Sequence, residues 1–332
     1  METTNDMEEQ PLKLRRTVVD PEDQIDEYIN RFKNSLNSIS DDMVKKTITL
    51  IYNLMGKLRG DINSGTCIIE RSIPITSKID SMTFKIFEPV TEKTQNSYLD
   101  TNTVRFESEI LQNEASNIIL KKYILEDYNY ANVYLIALHE ITMQIVCSIL
   151  KNLSKIDDFN KIIIPKIYKV TKETDGTRTY INIYMEKLIV AIPKETIKDN
   201  IVRFYDTFND IIKDFFQFLG KQGIHHLDTK YQNMFFINYN GSDAVAVIDF
   251  GTARVYPVDS IMPGADDGYY SNMNVTDFSN WIDGKSQRSF RTFGGLKTKK
   301  RNYIKISKKR GSKRVSSKKR GSKKRGSKRG KY

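Results

Sequence analysis

Hydrophobic residues recur with helical spacing near the start of the chain. A helix is predicted over about 21–37, with one apolar face made of Ile25, Tyr28, Ile29 and Phe32. Asp20 and Pro21 are typical of a helix start, because aspartate accepts hydrogen bonds from free N–H groups and proline suits the first turn. A second helix is expected to begin at Ser40, Asp41 and Asp42 and to end near Gly56. The pattern predicts N-terminal helices over 20–58, after a polar segment, 1–19, that is predicted to be disordered.

The next part of the chain is predicted to mix strands and helices. The runs "GDINSGTCIIERS" and "SMTFKIFEPV" are rich in strand-forming residues, and "IIIPKIYKV" and "YINIYMEKL" predict two strands joined by the turn-rich "TKETDGTR". Helical spacing is expected over about 104–125 and 131–153. This mixture indicates the α+β class.

An amphipathic helix predicted over 197–221 leads into two closely spaced strands. Gly220 and Gly223 are expected to end this helix. The strands "MFFINY" and "AVAVIDF" are separated by the turn "NGSD", which predicts a hairpin. In a hairpin the loop before the first strand lies beside the end of the second. Residues in these two places are therefore expected to be neighbours.

Four polar residues occupy those two places: Asp228, Lys230, Asn233 and Asp249. Asn233 and Asp249 offer hard oxygen ligands for Mg²⁺, which takes few ligands from protein and leaves the rest to phosphates and water. Lys230 can neutralise a transferring phosphoryl group, and Asp228 can orient a hydroxyl nucleophile. A lone Asp or Asn beside a turn more often caps or bends the chain, so the interpretation depends on the whole set.

The segment 226–233, "HLDTKYQN", resembles the catalytic loop H-R-D-x-K-x-x-N of the protein kinase superfamily, and 249–251, "DFG", resembles its D-F-G motif. The resemblance implies ATP and Mg²⁺ as cofactors and phosphoryl transfer to Ser or Thr of a protein substrate. It also implies a two-lobed kinase-like fold over 59–290, with a small β-rich N-lobe over about 59–190 and a reduced helical C-lobe over about 191–290.

The same resemblance implies nucleotide-binding residues upstream. Lys85 resembles the strand lysine that pairs with ATP phosphates, and Gly60 and Gly65 are expected in the turn that covers them, although "GDINSGT" does not match G-x-G-x-x-G. Met185 and Glu186 are expected near the adenine edge. Each residue also has a plainer interpretation. Lys85 would be an outward-facing strand lysine, Gly60 and Gly65 would belong to an ordinary turn, and Met185 would be a core residue.

The glutamate that would pair with Lys85 has two candidates. Glu109 is nearer in sequence, whereas Glu140 is on the predicted helix directly before "IIIPKI", where the family's pairing helix lies. Glu140 is preferred, and residues 91–130 are then treated as an insertion. The alternative to a functional role is that either glutamate lies on the solvent-exposed face of its helix.

Two departures from the family pattern indicate an atypical, trimmed kinase, similar to those of large DNA viruses. Leu227 occupies the position at which the family has an arginine that pairs with a phosphorylated residue of the activation loop. Control by such phosphorylation is therefore not expected. Most of the helical part that binds peptide substrates is missing. The alternatives are a catalytically inactive pseudokinase scaffold that carries a basic arm and, third, a small-molecule phosphotransferase. Lys230 and the residues after Asp249 favour the protein kinase side.

Charge is divided unevenly along the chain. The net charge is +12, yet residues 297–332 hold 19 Lys or Arg and no acidic residue, which leaves 34 basic against 41 acidic residues elsewhere. The repeated "KRGSK" has no apolar periodicity, so a disordered basic tail is predicted over 291–332. Such a tail is expected to bind nucleic acid or another polyanion through counterion release. A solubilising tail or a nuclear-import signal is the alternative.

An intracellular location is expected, in the cytoplasm or nucleus, or in the virion or viral factory for a viral protein. Cys67 and Cys147 fit no disulfide framework, and the acidic, polar "METTNDMEEQ" is not a signal peptide, so secretion is not expected. The apolar run "NVYLIALHEITMQIVCSIL" contains His139 and Glu140. No membrane span is therefore expected.

Overall fold

A computed structural model of the chain describes residues 20–69, 79–96, 103–188, 191–259 and 273–284. The chain divides into two units after Gly294, and all of these residues belong to the first. The segments predicted to be disordered, 1–19 and 291–332, lie outside the described residues.

Helices and strands are mixed along the described residues. The α-helices are α1 (Pro21–Ser35), α2 (Asp42–Asn63), α3 (Tyr130–Leu153), α4 (Lys194–Asp199), α5 (Ile201–Lys221) and α6 (Val275–Ile282). The strands are β1 (Thr66–Ile68), β2 (Lys85–Asn96), β3 (Thr103–Gln112), β4 (Ile118–Leu125), β5 (Ile162–Ile163), β6 (Ile167–Asp175), β7 (Arg178–Glu186), β8 (Ile224–His225), β9 (Met234–Tyr239), β10 (Ser242–Val247) and β11 (Arg254–Val255). Short 3-10 helices occupy Asp157–Lys161, Tyr231–Asn233 and Phe250–Thr252. The predicted α+β class is confirmed.

Six strands form one antiparallel sheet in the order β1-β6-β7-β4-β3-β2. The predicted hairpin is confirmed as β9 and β10, in which Met234 pairs with Val247 and Tyr239 pairs with Ser242. β5 extends this hairpin in parallel, and β8 pairs with β11. The sheet and the hairpin together carry most of the polar residues considered below.

Residues 104–125 form strands β3 and β4 and the turn between them, so the helix predicted there is wrong. β3 alternates buried and exposed positions at its start, with Val104 and Phe106 buried. β4 lies between β3 and β7 and is buried on both faces. A strand buried on both faces has a mostly apolar sequence without strict alternation. Periodicity alone does not distinguish such a sequence from a buried helix. Residues 91–96, 103–112 and 118–125 are therefore strands of the sheet, so treating 91–130 as an insertion is wrong.

Helix α2 extends to Asn63, past the end predicted near Gly56. Its buried residues continue at helical spacing through Leu58 and Ile62. Their burial outweighs the roughly 1 kcal/mol that each interior glycine costs a helix. Gly60, expected in a phosphate-covering turn, is therefore inside a helix.

Replacement of Gly60 tests this assignment. Gly60→Ala is expected to raise the free energy of unfolding by about 1 kcal/mol in urea titrations, because a Cβ at this exposed helical position has no atom within 4 Å. Gly65→Ala is the matched comparison and is expected to lower it, because Gly65 has a φ of +108°. A loss of stability in Gly60→Ala would contradict the helix.

The N-terminal helices are integral to the core. Buried residues of α1 and α2 join one hydrophobic cluster with those of α3 and the sheet. The hydroxyl of Tyr28 on α1 lies 2.9 Å from Nδ1 of His139 on α3. Arg31 Nη2 donates to the carbonyl of Val258 at 3.2 Å. The predicted boundary at residue 58 therefore falls inside a helix that packs with the rest of the unit.

Helix α3 runs through the centre of this core. By length and composition alone it qualifies as a membrane-spanning helix, although it contains His139 and Glu140. Of its most apolar stretch, 78% is buried inside the protein. His139 and Glu140 are both buried on it and have polar partners. These features are those of a core helix, consistent with the expectation of no membrane span.

His139 is neutral in the folded protein. Nε2 donates to the carbonyl of Ala253 at 2.9 Å, so Nδ1 accepts from Tyr28. Burial lowers the pKa of His139 to about 3, and Arg254 adds to this effect. The unfolded chain, with a histidine pKa near 6.5, therefore binds more protons below that pH. The contribution of neutral His139 to the free energy of unfolding is full above about pH 6.5 and is lost as the pH falls toward 3.

The contribution of His139 to acid sensitivity can be measured directly. Between pH 7 and pH 4.5 the free energy of unfolding is expected to fall in both His139→Gln and the wild type. The fall is expected to be about 2 kcal/mol smaller in His139→Gln, because glutamine takes up no proton. Urea titrations at the two pH values give both differences. Equal losses in the two proteins would show that His139 is not held neutral in the folded state.

Candidate functional site

A cavity of about 1100 Å³ is lined by the six-stranded sheet, helix α3 and the loops at the ends of the β9–β10 hairpin. Nine of the described residues that line it are charged: Glu88, Lys93, Lys121, Glu140, Glu186, Lys187, Asp228, Lys230 and Asp249. Phe106, Ile119 and Met185 contribute apolar surface. The volume and the mixed lining suit a small ligand with both apolar and charged parts.

The four polar residues expected to be neighbours all line this cavity: Asp228, Lys230, Asn233 and Asp249. The hairpin register brings them together, because Met234 pairs with Val247. The N–H of Ile248 then donates to the carbonyl of Asn233 at 2.9 Å. Asn233 and Asp249 are thus adjacent to this paired end of the hairpin.

Asp228 is held by two donors. Its Oδ2 accepts from Nζ of Lys230 and from Nδ2 of Asn233, each at 2.8 Å. Nδ2 of Asn233 also donates to the backbone carbonyl of Asp228 at 3.1 Å. Because the amide nitrogen is turned toward Asp228, the amide oxygen of Asn233 remains as an acceptor on its other side.

The loop that carries Asp228 is anchored on both sides. Nε2 of His226 donates to the carbonyl of Ile248 at 3.0 Å, and Nε1 of Trp281 on α6 donates to the carbonyl of Thr229 at 3.0 Å. Burial lowers the pKa of His226 against the opposing effect of Asp249. Trp281 was not singled out from the sequence. Two features of Trp281 could have indicated its role. It is the sole tryptophan of the chain, and a buried indole N–H needs a hydrogen-bond acceptor.

Asp249 has a left-handed backbone at the end of β10, with φ 60° and ψ 63°. This conformation costs roughly 1–2 kcal/mol for a non-glycine residue. Burial alone would raise the pKa of its carboxyl, but Lys121 and then Lys93 outweigh burial and hold the pKa below its usual value. Asp249 therefore stays ionised in a strained conformation, which is common at functional sites.

A buried ion pair lies next to Asp249. Nζ of Lys121 on β4 contacts both carboxylate oxygens of Glu140 on α3, at 2.6 and 2.8 Å, and the hydroxyl of Tyr123 also donates to Glu140. The side chains of Lys121 and Glu140 are 9% and 4% exposed. Nζ of Lys121 is also 3.8 Å from Oδ1 of Asp249. Burial lowers the pKa of Lys121, but Glu140 and Asp249 raise it further, so the lysine is charged.

The expected pair of Lys85 and Glu140 is not formed. Lys85, at the start of the edge strand β2, has a side chain 67% exposed and pairs with Glu114 at 3.1 Å. It is not among the residues that line the cavity. Lys121 takes the place next to Glu140, because β4 is central in the sheet and packs against α3. A lysine inside the apolar run "IILKKYIL" was the missed signal, since a buried charge needs a partner.

The choice of Glu140 over Glu109 agrees with the structure in part. Glu140 pairs with a strand lysine, although with Lys121. Glu109 lies on β3, not on a helix, and is 3.9 Å from Lys122 on the neighbouring strand. Lys122 is absent from the lining of the cavity, as is Glu109. Adjacent residues of β4 thus point to opposite faces of the sheet.

The expected phosphate-covering turn at Gly60 and Gly65 does not reach the cavity. Gly60 is inside α2, and Gly65 forms the turn between α2 and β1. Neither is among the lining residues. β1 pairs with β6 at the edge of the sheet opposite to β2, which separates this turn from the charged wall of the cavity.

Met185 and Glu186 do line the cavity, at the end of β7. Met185 is half-buried. Glu186 is fixed by its neighbours, because Oε1 accepts from the hydroxyl of Tyr239 at 3.0 Å and Oε2 accepts from the N–H of Lys166 at 3.2 Å. The two residues therefore form one rim of the cavity.

The arrangement combines two chemical functions in one cavity. Asp249 and the amide oxygen of Asn233 offer hard oxygen ligands, and Lys121 offers a fixed positive charge beside them. Asp228 is an oriented carboxylate that can accept a proton. No model of a known protein family matches the chain, and neither does any curated protein.

Proposed function

We propose that the chain is a kinase-like phosphotransferase that uses ATP and Mg²⁺ to phosphorylate Ser or Thr of proteins. The observation that carries the proposal is the buried pair of Lys121 and Glu140, with Lys121 3.8 Å from Asp249. Protein kinases require such a pair between a strand lysine and a helix glutamate, together with the aspartate of D-F-G. Lys121 would therefore have the role that the sequence resemblance predicts for Lys85.

The proposal includes a two-lobed arrangement around the cavity. The lysine strand β4 is followed directly by the glutamate helix α3, which is the order found in protein kinases. These elements and the rest of the six-stranded sheet would form the N-lobe. Helix α5, the β9–β10 hairpin and α6 would form the reduced C-lobe. Adenine would lie against the rim at Met185 and Glu186, near the apolar surface of Phe106.

The residues present fit a Mg²⁺ ion. Asp249 is held ionised by the lysines near it, and Asn233 keeps its amide oxygen as an acceptor because its nitrogen is bound to Asp228. These two residues would hold the metal. Mg²⁺, when bound, neutralises charge on the β- and γ-phosphates.

Asp228 and Lys230 would act on the transferred group. The hydroxyl oxygen of the substrate forms a bond to the γ-phosphorus while the bond from that phosphorus to the β–γ bridging oxygen breaks, so ADP leaves. Asp228 orients the hydroxyl and accepts its proton. Lys230, 2.8 Å from Oδ2 of Asp228, would compensate negative charge on the transferred phosphoryl group.

A non-enzymatic scaffold is the second candidate function. The segment 97–102, which joins β2 to β3 in sequence, reads "SYLDTN" and contains no glycine. A glycine-rich turn over the phosphates is usual in active kinases, so its absence from the sequence favours a pseudokinase that carries the basic tail. A small-molecule phosphotransferase remains a third candidate.

A transfer assay separates these candidates. Purified protein is incubated with γ-labelled ATP, Mg²⁺ and a generic basic protein, beside Asp228→Asn and Asp249→Asn. Asp158→Asn is the matched control, because Asp158 is exposed and does not line the cavity. Label on protein is expected with the wild type and Asp158→Asn, and a loss of at least about 100-fold with the other two variants.

The outcomes are distinct. ATP hydrolysis or binding without labelled protein would favour the small-molecule phosphotransferase. No labelling and no Mg²⁺-ATP-dependent thermal shift would overturn the enzyme and leave the scaffold. A chain ending at Gly295 tests self-phosphorylation, because it lacks the tail serines, for example Ser312 and Ser322.

The tail is proposed to bind nucleic acid or another polyanion inside the cell. The 19 basic residues in 297–332, without any acidic residue, support this. Filter binding to a DNA duplex is expected to weaken steeply as NaCl rises and to be lost in the chain that ends at Gly295. Binding that does not depend on salt or on the tail would contradict this assignment.

A further inference from the structure

The lysines that line the cavity differ in their partners. Lys121 contacts Glu140 at 2.6 Å, Lys230 contacts Asp228 at 2.8 Å, and Lys187 donates to Gln112 at 2.7 Å. Lys93 lines the same cavity but forms no hydrogen bond or ion pair with another residue in the described part of the chain. Lys93 is half-buried. Because a partly buried charge without a partner is costly, its presence indicates an anionic ligand.

The strand that carries Lys93 is held over the site. Lys93 and Gln95 on β2 are half-buried, whereas Glu92 and Thr94 between and beside them are exposed, so Lys93 is on the inward face. Nε2 of Gln95 donates to the carbonyl of Gly251, two residues after Asp249. This contact ties β2 to the D-F-G segment and keeps Lys93 near it.

Lys93 is close enough to the site to interact with its charges. Burial and then Lys121 lower the pKa of Lys93, while Asp249, Glu140 and Glu88 oppose this effect. Lys93 and Lys121 therefore repel each other within the cavity. A ligand with several adjacent negative charges would relieve this repulsion, because it pairs with both ammonium groups.

We propose that Lys93 is a second phosphate-binding lysine, which contacts the polyphosphate of a nucleoside triphosphate from the β2 side of the cavity. The inference rests on the proposed phosphotransferase function. In a glycine-rich turn, backbone N–H groups bind the phosphates. Here the positive charge of the Lys93 side chain would bind them instead. The segment after β2, "SYLDTN", has no glycine to form such a turn.

Calorimetric titration with AMP, ADP and ATP in the presence of Mg²⁺ tests the proposal. The proteins are the wild type, Lys93→Met, Lys93→Arg and Lys85→Met, where Lys85 is the matched lysine on the same strand outside the cavity. Lys93→Met is expected to weaken ATP binding about tenfold, ADP binding less, and AMP binding less than about twofold. Lys93→Arg is expected to recover most of the loss, and Lys85→Met to bind like the wild type.

Two results would overturn the role of Lys93 and leave the proposed function intact. In the first, Lys93→Met binds ATP as tightly as the wild type. In the second, it loses affinity for AMP and ATP by the same factor, which would indicate a packing effect. A wild-type protein that binds none of the three nucleotides would overturn both proposals.

Chemical labelling of the wild type gives a measurement that does not depend on the folding of any variant. Acetylation by a water-soluble N-hydroxysuccinimide ester is followed at individual lysines by peptide mass spectrometry. Mg²⁺-ATP is expected to slow acetylation of Lys93 about tenfold and to leave Lys85 unchanged. An unchanged rate at Lys93, in protein that binds ATP by calorimetry, would overturn the assignment.

Discussion

Lys121→Met is expected to reduce phosphoryl transfer to protein at least about 100-fold, whereas Lys85→Met retains the wild-type rate. Lys121 is a buried, fixed cation 3.8 Å from Asp249, and removal of such a preorganised charge typically costs about 2.7–4 kcal/mol of transition-state stabilisation. Lys85 is exposed and paired with Glu114 outside the cavity. Initial rates with γ-labelled ATP, at saturating and at low ATP, measure the effect on kcat and on kcat/KM.

Loss of folding must be separated from loss of chemistry in this experiment. Lys121→Met leaves Glu140 as an unpaired buried carboxylate, which is expected to lower stability as well as activity. The double variant Lys121→Met/Glu140→Leu removes both charges and is expected to be more stable than the single variant but equally inactive. If Lys85→Met loses activity and Lys121→Met does not, the assignment of the nucleotide lysine is reversed.

Tyr28→Ala is expected to lower the free energy of unfolding by about 3–5 kcal/mol. Tyr28 is fully buried, packs edge-on against Phe32 and is hydrogen-bonded to His139. Tyr28→Phe is the matched control and is expected to cost about 1–3 kcal/mol, because it removes the hydrogen bond from the Tyr28 hydroxyl to the buried Nδ1 of His139. Urea unfolding followed by circular dichroism and by the fluorescence of Trp281 measures both.

The same experiment tests whether the N-terminal helices fold with the rest of the unit. One transition, at the same urea concentration by both probes, is expected because α1, α2 and α3 share one hydrophobic cluster and Trp281 packs in that cluster too. A change below about 1 kcal/mol in Tyr28→Ala contradicts this. So does an early loss of helical signal while Trp281 stays folded.

Local signals in the sequence were sufficient wherever neighbours in sequence make the structure. Asp20 and Asp41 accept hydrogen bonds from the first turns of α1 and α2, and the four apolar positions predicted for α1 are its buried residues. The turn "NGSD" sets the β9–β10 hairpin. Because a short hairpin leaves little freedom, the proximity of Asp228, Asn233 and Asp249 followed from residues within about one hairpin of one another.

Long-range packing decided what these signals could not. The run "IILKKYIL" is compatible with a helix or a buried strand, and its pairing with β3 and β7 made it a central strand. Burial of Leu58 and Ile62 carried α2 past Gly56. Tyr28 meets His139 across 111 residues of sequence, so no local pattern indicated that α1 belongs to the core.

The sequence by itself determined the helix starts, the hairpin, the acidic and amide cluster at its edge and the separation of charge between body and tail. Only the tertiary structure decided which lysine meets Glu140. Lys85 and Lys121 are both strand lysines, and they differ in the position of their strands within the sheet. An edge strand lets a lysine reach solvent, whereas the central strand β4 buries Lys121 where a carboxylate must compensate its charge. Strand order depends on contacts between distant segments, and no local pattern contains it.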